Sequence, residues 1–409
     1  MRRVALTGIG PITSLGAGVE QVWEALLAGR SGISRIENFD ASELPVRIGG
    51  EIRDFAPEEW MSSKDAKRTD RAVHFALAAA KLAWDDAGSP TTDRARTAVM
   101  FSTGIGGLSS LLAQHKVFLE RGAERVSPFM VPMLMPNAAA AHIAMAFGFT
   151  GPNECITTAC AAGAHAVGDG FRAVQRGLAD VCIAGGTEAT ILGLTIAGFA
   201  QMQALSRNED PERASRPFDR DRDGFVLSEG ACALVLEEAE RARARGARIY
   251  AEVGGYGTSA DAHHVTAPEP DGIGAVQSIQ ACLEDAGEPP EAVGYVNAHG
   301  TSTPLNDAAE TRALKKALGD HAYSIPVSST KSMTGHLLGA AGAFEAAVAA
   351  LVVDRGVIPP TINYETPDEE CDLDFVPNES RPANPRLALS NAFGFGGHNA
   401  VLALRRLEA

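Results

Sequence analysis

Residues 337–353 form a stretch that is almost wholly apolar, with Glu345 in its midst. On a globular protein, a helix that is apolar all round is enclosed on every side rather than laid on the surface. The stretch falls short of the roughly 20 apolar residues that a membrane span requires. A helix enclosed in this way needs structure on both flanks. Segments 3–6, 97–101, 181–184, 293–297 and 387–389 read as short strands alternating with helices, the pattern of sheets covered by helices. With 409 residues, 45% of them hydrophobic, the chain can bury a large core. No Pro/Ser-rich linker, charge block or low-complexity segment divides it, which favours one compact unit.

Two segments look like distant copies. Thr158-Ala-Cys160-Ala-Ala-Gly163 leads into a helical stretch, and so does Thr330-Lys331-Ser-Met-Thr-Gly335-His336. In the first helix Val167, Phe171 and Val174 recur at i, i+4 and i+7 and Gly177 ends the pattern, so Cys160 falls at its N-terminus. A thiol there meets exposed backbone N–H groups and the positive end of the helix dipole, which predicts a lowered pKa. A cysteine taken at random is more often an inert buried thiol. The small residues Ala159, Ala161, Ala162 and Gly163 set Cys160 apart from the other five cysteines by leaving room for a bulky substrate.

His299 stands in Asn297-Ala-His-Gly-Thr-Ser-Thr303, where an apolar strand runs out into a turn rich in Gly and hydroxyls. His336 opens the apolar helix, with Lys331 before it and Glu345 after it. A buried Lys and Glu need one another, and their pairing is expected to hold His336. Either histidine alone reads equally well as a satisfied core residue. Near the C-terminus, Asn391-Ala-Phe393-Gly-Phe395-Gly-Gly-His398-Asn399 interleaves glycines with two Phe, so its backbone N–H groups can face an oxyanion while a ring opens and closes a pocket. No Lys-Ser/Thr follows, which disfavours a phosphate cradle.

A net charge of −15 argues against general nucleic-acid or anionic-membrane binding, because both partners are polyanions. The cysteines show no paired spacing, so neither a disulfide framework nor a zinc site is expected. The N-terminal apolar run gives way at once to Gly8-Ile9-Gly10-Pro11 and is too short for a signal peptide, so cytoplasmic residence is the expectation.

Over essentially its whole length the chain resembles the elongating β-ketoacyl-acyl carrier protein synthases of the thiolase superfamily. The resemblance rests on Thr158-Ala-Cys160, Asn297-Ala-His-Gly-Thr-Ser-Thr303, Lys331-Ser-Met-Thr-Gly-His336 and Gly394-Phe-Gly-Gly397, with Ser215-Arg-Pro-Phe-Asp-Arg-Asp-Arg-Asp-Gly-Phe-Val226 as a further signature. It implies an α/β, thiolase-like five-layered αβαβα fold from two similar halves, here 1–250 with the nucleophilic Cys and 251–409 with both His. It also implies a decarboxylative condensation that extends an acyl chain held on Cys160 by two carbons. His299 and His336 then bind the malonyl thioester carbonyl, the backbone N–H groups of Cys160 and Phe395 form the oxyanion hole, Lys331 and Glu345 hold His336, and Phe395 gates the pocket. By the same resemblance Thr301 and Thr303 contact the pantetheine arm and Ile105, Phe199 and Phe393 meet the acyl chain. Phe129 and Met130 complete the tunnel from across a dimer interface. Lys64, Lys67 and Arg68 match the carrier-protein docking region, and read without the resemblance they are a solvated helix face. Substrates ride on the phosphopantetheine of acyl carrier protein and no resident cofactor is implied. The partner subunit is a second copy or a chain-length-factor homologue. His398, where many relatives have Thr, and Met130, where an aromatic is frequent, depart from the pattern.

Three other readings compete. A ketosynthase of type II polyketide assembly shares every catalytic residue. A degradative thiolase carries a second Cys in the C-terminal loop, and residues 393–398 have none. A non-catalytic interaction subunit has no use for Cys160, His299 and His336 together.

Overall fold

The computed structural model describes residues 1–408. Ten strands line up in one mixed sheet: β1 (Val4–Thr13), β2 (Thr97–Ser102), β3 (Asn153–Glu154), β4 (Val181–Glu188) and β5 (Gly230–Glu238), then β6 (Ala251–Ala260), β7 (Val293–Asn297), β8 (Val327–Ser328), β9 (Leu387–Gly394) and β10 (His398–Arg405). Their spatial order is β8-β7-β9-β10-β6-β1-β5-β4-β2-β3. Read outward from the β6/β1 junction, both halves are the same. The first strand pairs antiparallel with the fifth, the fifth antiparallel with the fourth, the fourth parallel with the second, and the second parallel with the third. The halves meet where Val4, Ala5 and Leu6 pair with Val253, Glu252 and Ala251.

The helices used below are α1 (Arg71–Asp86), α2 (Leu108–Arg121), α3 (Met130–Leu134), α4 (Ala138–Phe147), α5 (Ala162–Gln175), α6 (Gly193–Gln201), α7 (Ile273–Ala286), α8 (Pro304–Leu318) and α9 (Ala341–Arg355). α5 and α9 pack on one another and touch strands of both halves, so they form the middle layer. α1 covers the outer face of the first half, and α7, with α8 beside it, covers that of the second. The result is the five-layered αβαβα arrangement. Every residue of α9 as far as Val353 is buried, as an all-apolar helix between the two halves of the sheet must be.

The first strand of each half carries Gly-x-Gly for a steric reason. A Cβ on Gly8 or Gly10 would lie 2.1 Å from the carbonyl oxygens of Ala83 or Ala79 on α1, and one on Gly257 would lie 2.1 Å from that of Ser278 on α7. The glycines let an outer helix press on the strand. The strand expected over residues 3–6 is longer than that: β1 continues through Gly8-Ile9-Gly10-Pro11 to Thr13, with a register irregularity between Leu6 and Gly8. The apolar helix also starts later than its composition suggests. Leu338 has φ +46 and a 3-10 turn, Leu338–Ala340, precedes the helix proper, which Gly356 in the left-handed conformation closes. No helix of the described residues is long and apolar enough to cross a membrane.

Candidate active site

The chemistry gathers where the C-terminal ends of parallel strands meet the starts of α5 and α9. Cys160 occupies the single 3-10 turn, Ala159–Ala161, that feeds α5. Ala159 before it has φ +50, a left-handed conformation costly for a residue with a Cβ and characteristic of functional turns. The sulfur opens on a cavity of about 710 Å³ whose wall also holds His299, His336, Phe393 and Phe395.

His299 leaves the end of β7. Glu310 on α8 pins its turn, accepting the N–H groups of His299 and Gly300, each at 2.8 Å, and the side-chain amide of Asn391 at 3.0 Å. His336 comes from the turn before α9, where its N–H donates to the Val226 carbonyl at 2.7 Å. The two imidazoles stand nearly perpendicular, with centroids 5.5 Å apart.

Lys331 and Glu345 form the expected buried ion pair, but against His299 rather than His336. The Lys331 ammonium donates to the His299 carbonyl and lies 3.5 Å from its Nδ1. Adjacency explains the correction: β7 and β8 are parallel neighbours, so the segments that follow them, carrying His299 and Lys331, lie side by side. His336 is already past Gly335, tied to residues 226–228. A cation at Nδ1 leaves the His299 proton on Nε2. Neither ring nitrogen of the buried His336 has a partner among the described residues.

Burial, reinforced by the Lys331 charge, holds both histidines neutral, well below the usual imidazole range. The thiol departs from expectation. Burial pushes Cys160 up to about 11, the Glu188 charge adds to that, and the N–H groups of Phe395 and Cys160 itself together with Lys331 pull the other way. Position at a helix start does not offset the desolvation of the buried thiol.

Ile105 and Phe199 line the same cavity, and the Phe199 and Phe395 rings stand 6.5 Å apart. Thr301 and Thr303 lie on its wall with their hydroxyls 2.9 Å from one another, Thr303 also capping α8. Phe129 and Met130 do not line the cavity of their own chain. Lys64, Lys67 and Arg68 are exposed away from it, with the Arg68 guanidinium 4.4 Å over the Phe129 ring.

The family model for the β-ketoacyl synthase N-terminal domain matches residues 1–242, and that for the C-terminal domain matches residues 250–365. The chain belongs to the β-ketoacyl synthase family. A 3-oxoacyl-[acyl-carrier-protein] synthase 2 of Synechocystis sp. is 52% identical over 410 residues, spanning 100% of this chain and 99% of that relative. The solved ishigamide ketosynthase/chain length factor superposes with a TM-score of 0.94 at 37% identity, over 100% of both chains. A ketosynthase bound to the hexaketide, solved in complex with its type II polyketide acyl-carrier protein, superposes at 0.92 with 34% identity, covering 99% of this chain and 100% of its own.

Some residues of this β-ketoacyl synthase site were not picked out from sequence. Phe225 lies 5.3 Å from His336, edge to face, within a segment quoted only as a signature. Leu338 lines the cavity from the start of a run noted only for being apolar. The carboxylates Glu188 and Glu310 hold the turns. Their signal is an acid set among small apolar residues, Glu188 after Gly185-Gly186-Thr187 and Glu310 beside Ala308 and Ala309.

Proposed function

We propose that the protein is a β-ketoacyl-acyl carrier protein synthase that extends a fatty acyl chain by two carbons. The observation that carries this reading is a buried thiol sharing one cavity with two neutral imidazoles, one of which, His336, has both nitrogens unpartnered among the described residues. A buried polar group without a partner costs about 1–3 kcal/mol, and a substrate carbonyl in the cavity removes that cost.

In the first step the Cys160 sulfur attacks the acyl thioester carbonyl, the carrier's pantetheine thiol leaves with the proton, and the acyl group remains on Cys160. The oxyanion forms beside the N–H groups of Phe395 and Cys160, both of which face the sulfur. In the second, malonyl-carrier protein loses carbon dioxide and the electron pair of the broken C–C bond passes into an enolate whose oxygen accepts from the His299 and His336 N–H groups. The enolate carbon then attacks the acyl carbonyl, a C–C bond forms, the C–S bond breaks and the thiolate of Cys160 is released. The Lys331–Glu345 pair fixes the His299 tautomer, Phe395 gates the entry, and Thr301 and Thr303 contact the pantetheine arm. Every role is filled by a side chain or backbone group, so the reading needs no resident cofactor.

Acyl carrier protein is the partner in this reading, docking at Lys64, Lys67 and Arg68. The chain divides at 250/251 into a nucleophile half and a histidine half. A homodimer is supported by exposed Phe118, Leu119, Val131, Met135 and Met145 on and beside α2, α3 and α4, next to the open edge of β3. In such a dimer Phe129 and Met130 reach the partner's tunnel. Type II polyketide synthesis is the second reading, favoured by the likeness to solved polyketide ketosynthases; the higher identity to 3-oxoacyl synthases supports fatty acid elongation. Mass spectrometry after incubation with acyl-carrier proteins of graded length tests the assignment. Acylation of Cys160 by saturated chains is expected, and a protein that takes no acyl group, or takes it at Cys155, overturns it.

A further inference from the structure

Glu188, at the end of β4, has no part in the mechanism above, yet it is fully buried behind two turns that line the cavity. One carboxylate oxygen accepts from the Thr103 hydroxyl at 2.9 Å and the Ile105 N–H at 3.3 Å. The other accepts from the N–H groups of Gly104 at 2.8 Å and Gly339 at 3.1 Å. All four partners are neutral donors. A protonated carboxyl would turn an O–H against them, so only the ionised acceptor satisfies the whole set.

Those donors belong to both halves of the molecule. Thr103, Gly104 and Ile105 follow β2, and Ile105 forms cavity wall; Gly339 sits next to Leu338, another wall residue, three positions after His336. The two turns touch back to back, since a Cβ on Gly339 would fall 2.2 Å from the Gly104 nitrogen. Such closeness is open only to glycine, and it sets two converging N–H groups on one oxygen.

We infer that Glu188 is a positioning residue that fixes the acyl-pocket wall at Ile105 against the His336 turn, and thereby the acyl length that Cys160 accepts. The inference rests on the condensing reading of this cavity. Moving the carboxylate frees Ile105 without touching the carrier-docking surface, so the change falls on chain-length preference rather than on affinity for the carrier.

The test compares Glu188→Gln with wild type for Cys160 acylation by short and long acyl-carrier proteins. The amide turns an N–H against N–H donors and displaces the turn. The ratio of short-chain to long-chain rates is expected to move by about tenfold or more, with the Michaelis constant for the carrier unchanged. Thr103→Ala removes one donor and is expected to move the ratio the same way by less, and Thr103→Ser to restore it. A wild-type ratio in Glu188→Gln overturns the inference; where that variant does not fold, a wild-type ratio in Thr103→Ala does so.

The pH profile of Cys160 alkylation by iodoacetamide gives a readout independent of the acyl reaction. The charges acting on the thiol are Lys331 and Glu188, with His299 and His336 on the same cavity wall and Glu345 paired to Lys331 behind them, and removing the Glu188 charge should move the midpoint to lower pH by about half a unit or more. If wild type takes no acyl group, the condensing reading falls and this midpoint alone judges Glu188, an unmoved value overturning the inference.

Discussion

The two halves have one topology and divided chemistry. In the first, the segment after β3 delivers Cys160 at the start of α5; in the second, the corresponding segment after β8 delivers Lys331 and His336 ahead of α9. The turn after β2 supplies pocket wall at Ile105, and its counterpart after β7 supplies His299. Each of these two turns has its N–H groups gathered by a buried carboxylate, Glu188 from a strand end in one half and Glu310 from a helix in the other. A duplicated scaffold therefore offers equivalent positions, and the residue placed there decides whether a position binds, attacks or stabilises charge. In the proposed condensing reading, covalent capture falls to the first half and enolate stabilisation to the second.

The largest expected effect separates those tasks. Cys160→Ala should lower acyl transfer by at least about 10³-fold, because no other thiol among the described residues lines the cavity, while the neighbouring alanines accept the smaller side chain without strain. Malonyl-carrier protein decarboxylation should persist, since the histidines lie in the other half. Following carbon dioxide release and enzyme acylation in the same preparation checks this; loss of both activities in the folded variant removes the division of labour.

Next in size is the ion pair that only the second half contains. Glu345→Gln strands the Lys331 ammonium in a site that excludes water, and breaking a buried pair in this way costs about 3–5 kcal/mol. Urea unfolding at fixed protein concentration reads it. A loss below about 1 kcal/mol means that the pair is held by little more than a surface contact would be.

How much of this was legible in the sequence follows from what each signal depends on. The buried helix needs only a count of polar residues, and Cys160, His299 and His336 lie in compact local motifs, so these were readable and the structure brings the three onto one cavity. Strands β3, β5, β6, β8 and β10 were not picked out. In β5, Gly230–Glu238, burial of every residue from Gly230 to Glu237 removes the inside-outside alternation that marks a half-buried strand. The target of Lys331 was misplaced because sequence distance favours His336, whereas parallel pairing of β7 and β8 brings His299 closer. The thiol's direction was misjudged because a helix start is a local feature and desolvation is a property of the assembled cavity.

The histidines test that last point through stability. Both are held neutral, below the roughly 6.5 of an unfolded-state histidine, so as pH falls below 6.5 the unfolded chain takes up protons that the folded one refuses and stability declines. Glu188, pushed up to about 7 chiefly by burial, acts oppositely, since the folded state holds its proton between about 4.5 and 7 and loses stability as pH rises there. A difference measurement isolates the histidines. In the double variant His299→Asn, His336→Asn, the slope of unfolding free energy between pH 5.5 and 6.5 should flatten by up to about 1.4 kcal/mol per pH unit for each histidine removed. Parallel slopes in variant and wild type mean that the imidazoles titrate as they do in water.

The smallest effects belong to the surface of the first half, where Lys64, Lys67 and Arg68 stand on and beside a one-turn helix capped by Ser62. The protein is acidic overall, so attraction for an acidic carrier must be local and must work against long-range repulsion. Each exposed contact contributes no more than about 1 kcal/mol, so all three must change together for a clear result. The triple Ala variant should raise the Michaelis constant for carrier-bound substrate and leave a small pantetheine thioester almost unaffected. Arg68 carries a second role through its stacking on Phe129, so its removal also loosens a residue placed near the proposed dimer contact. Light scattering of the same variant separates the two: an intact dimer with a raised Michaelis constant is a docking effect, and dissociation assigns the loss to the interface. Salt gives the final discrimination. With a Debye length of about 8 Å at physiological ionic strength, added salt should weaken wild type more than the variant, and equal salt sensitivity in both moves docking to another face of the molecule.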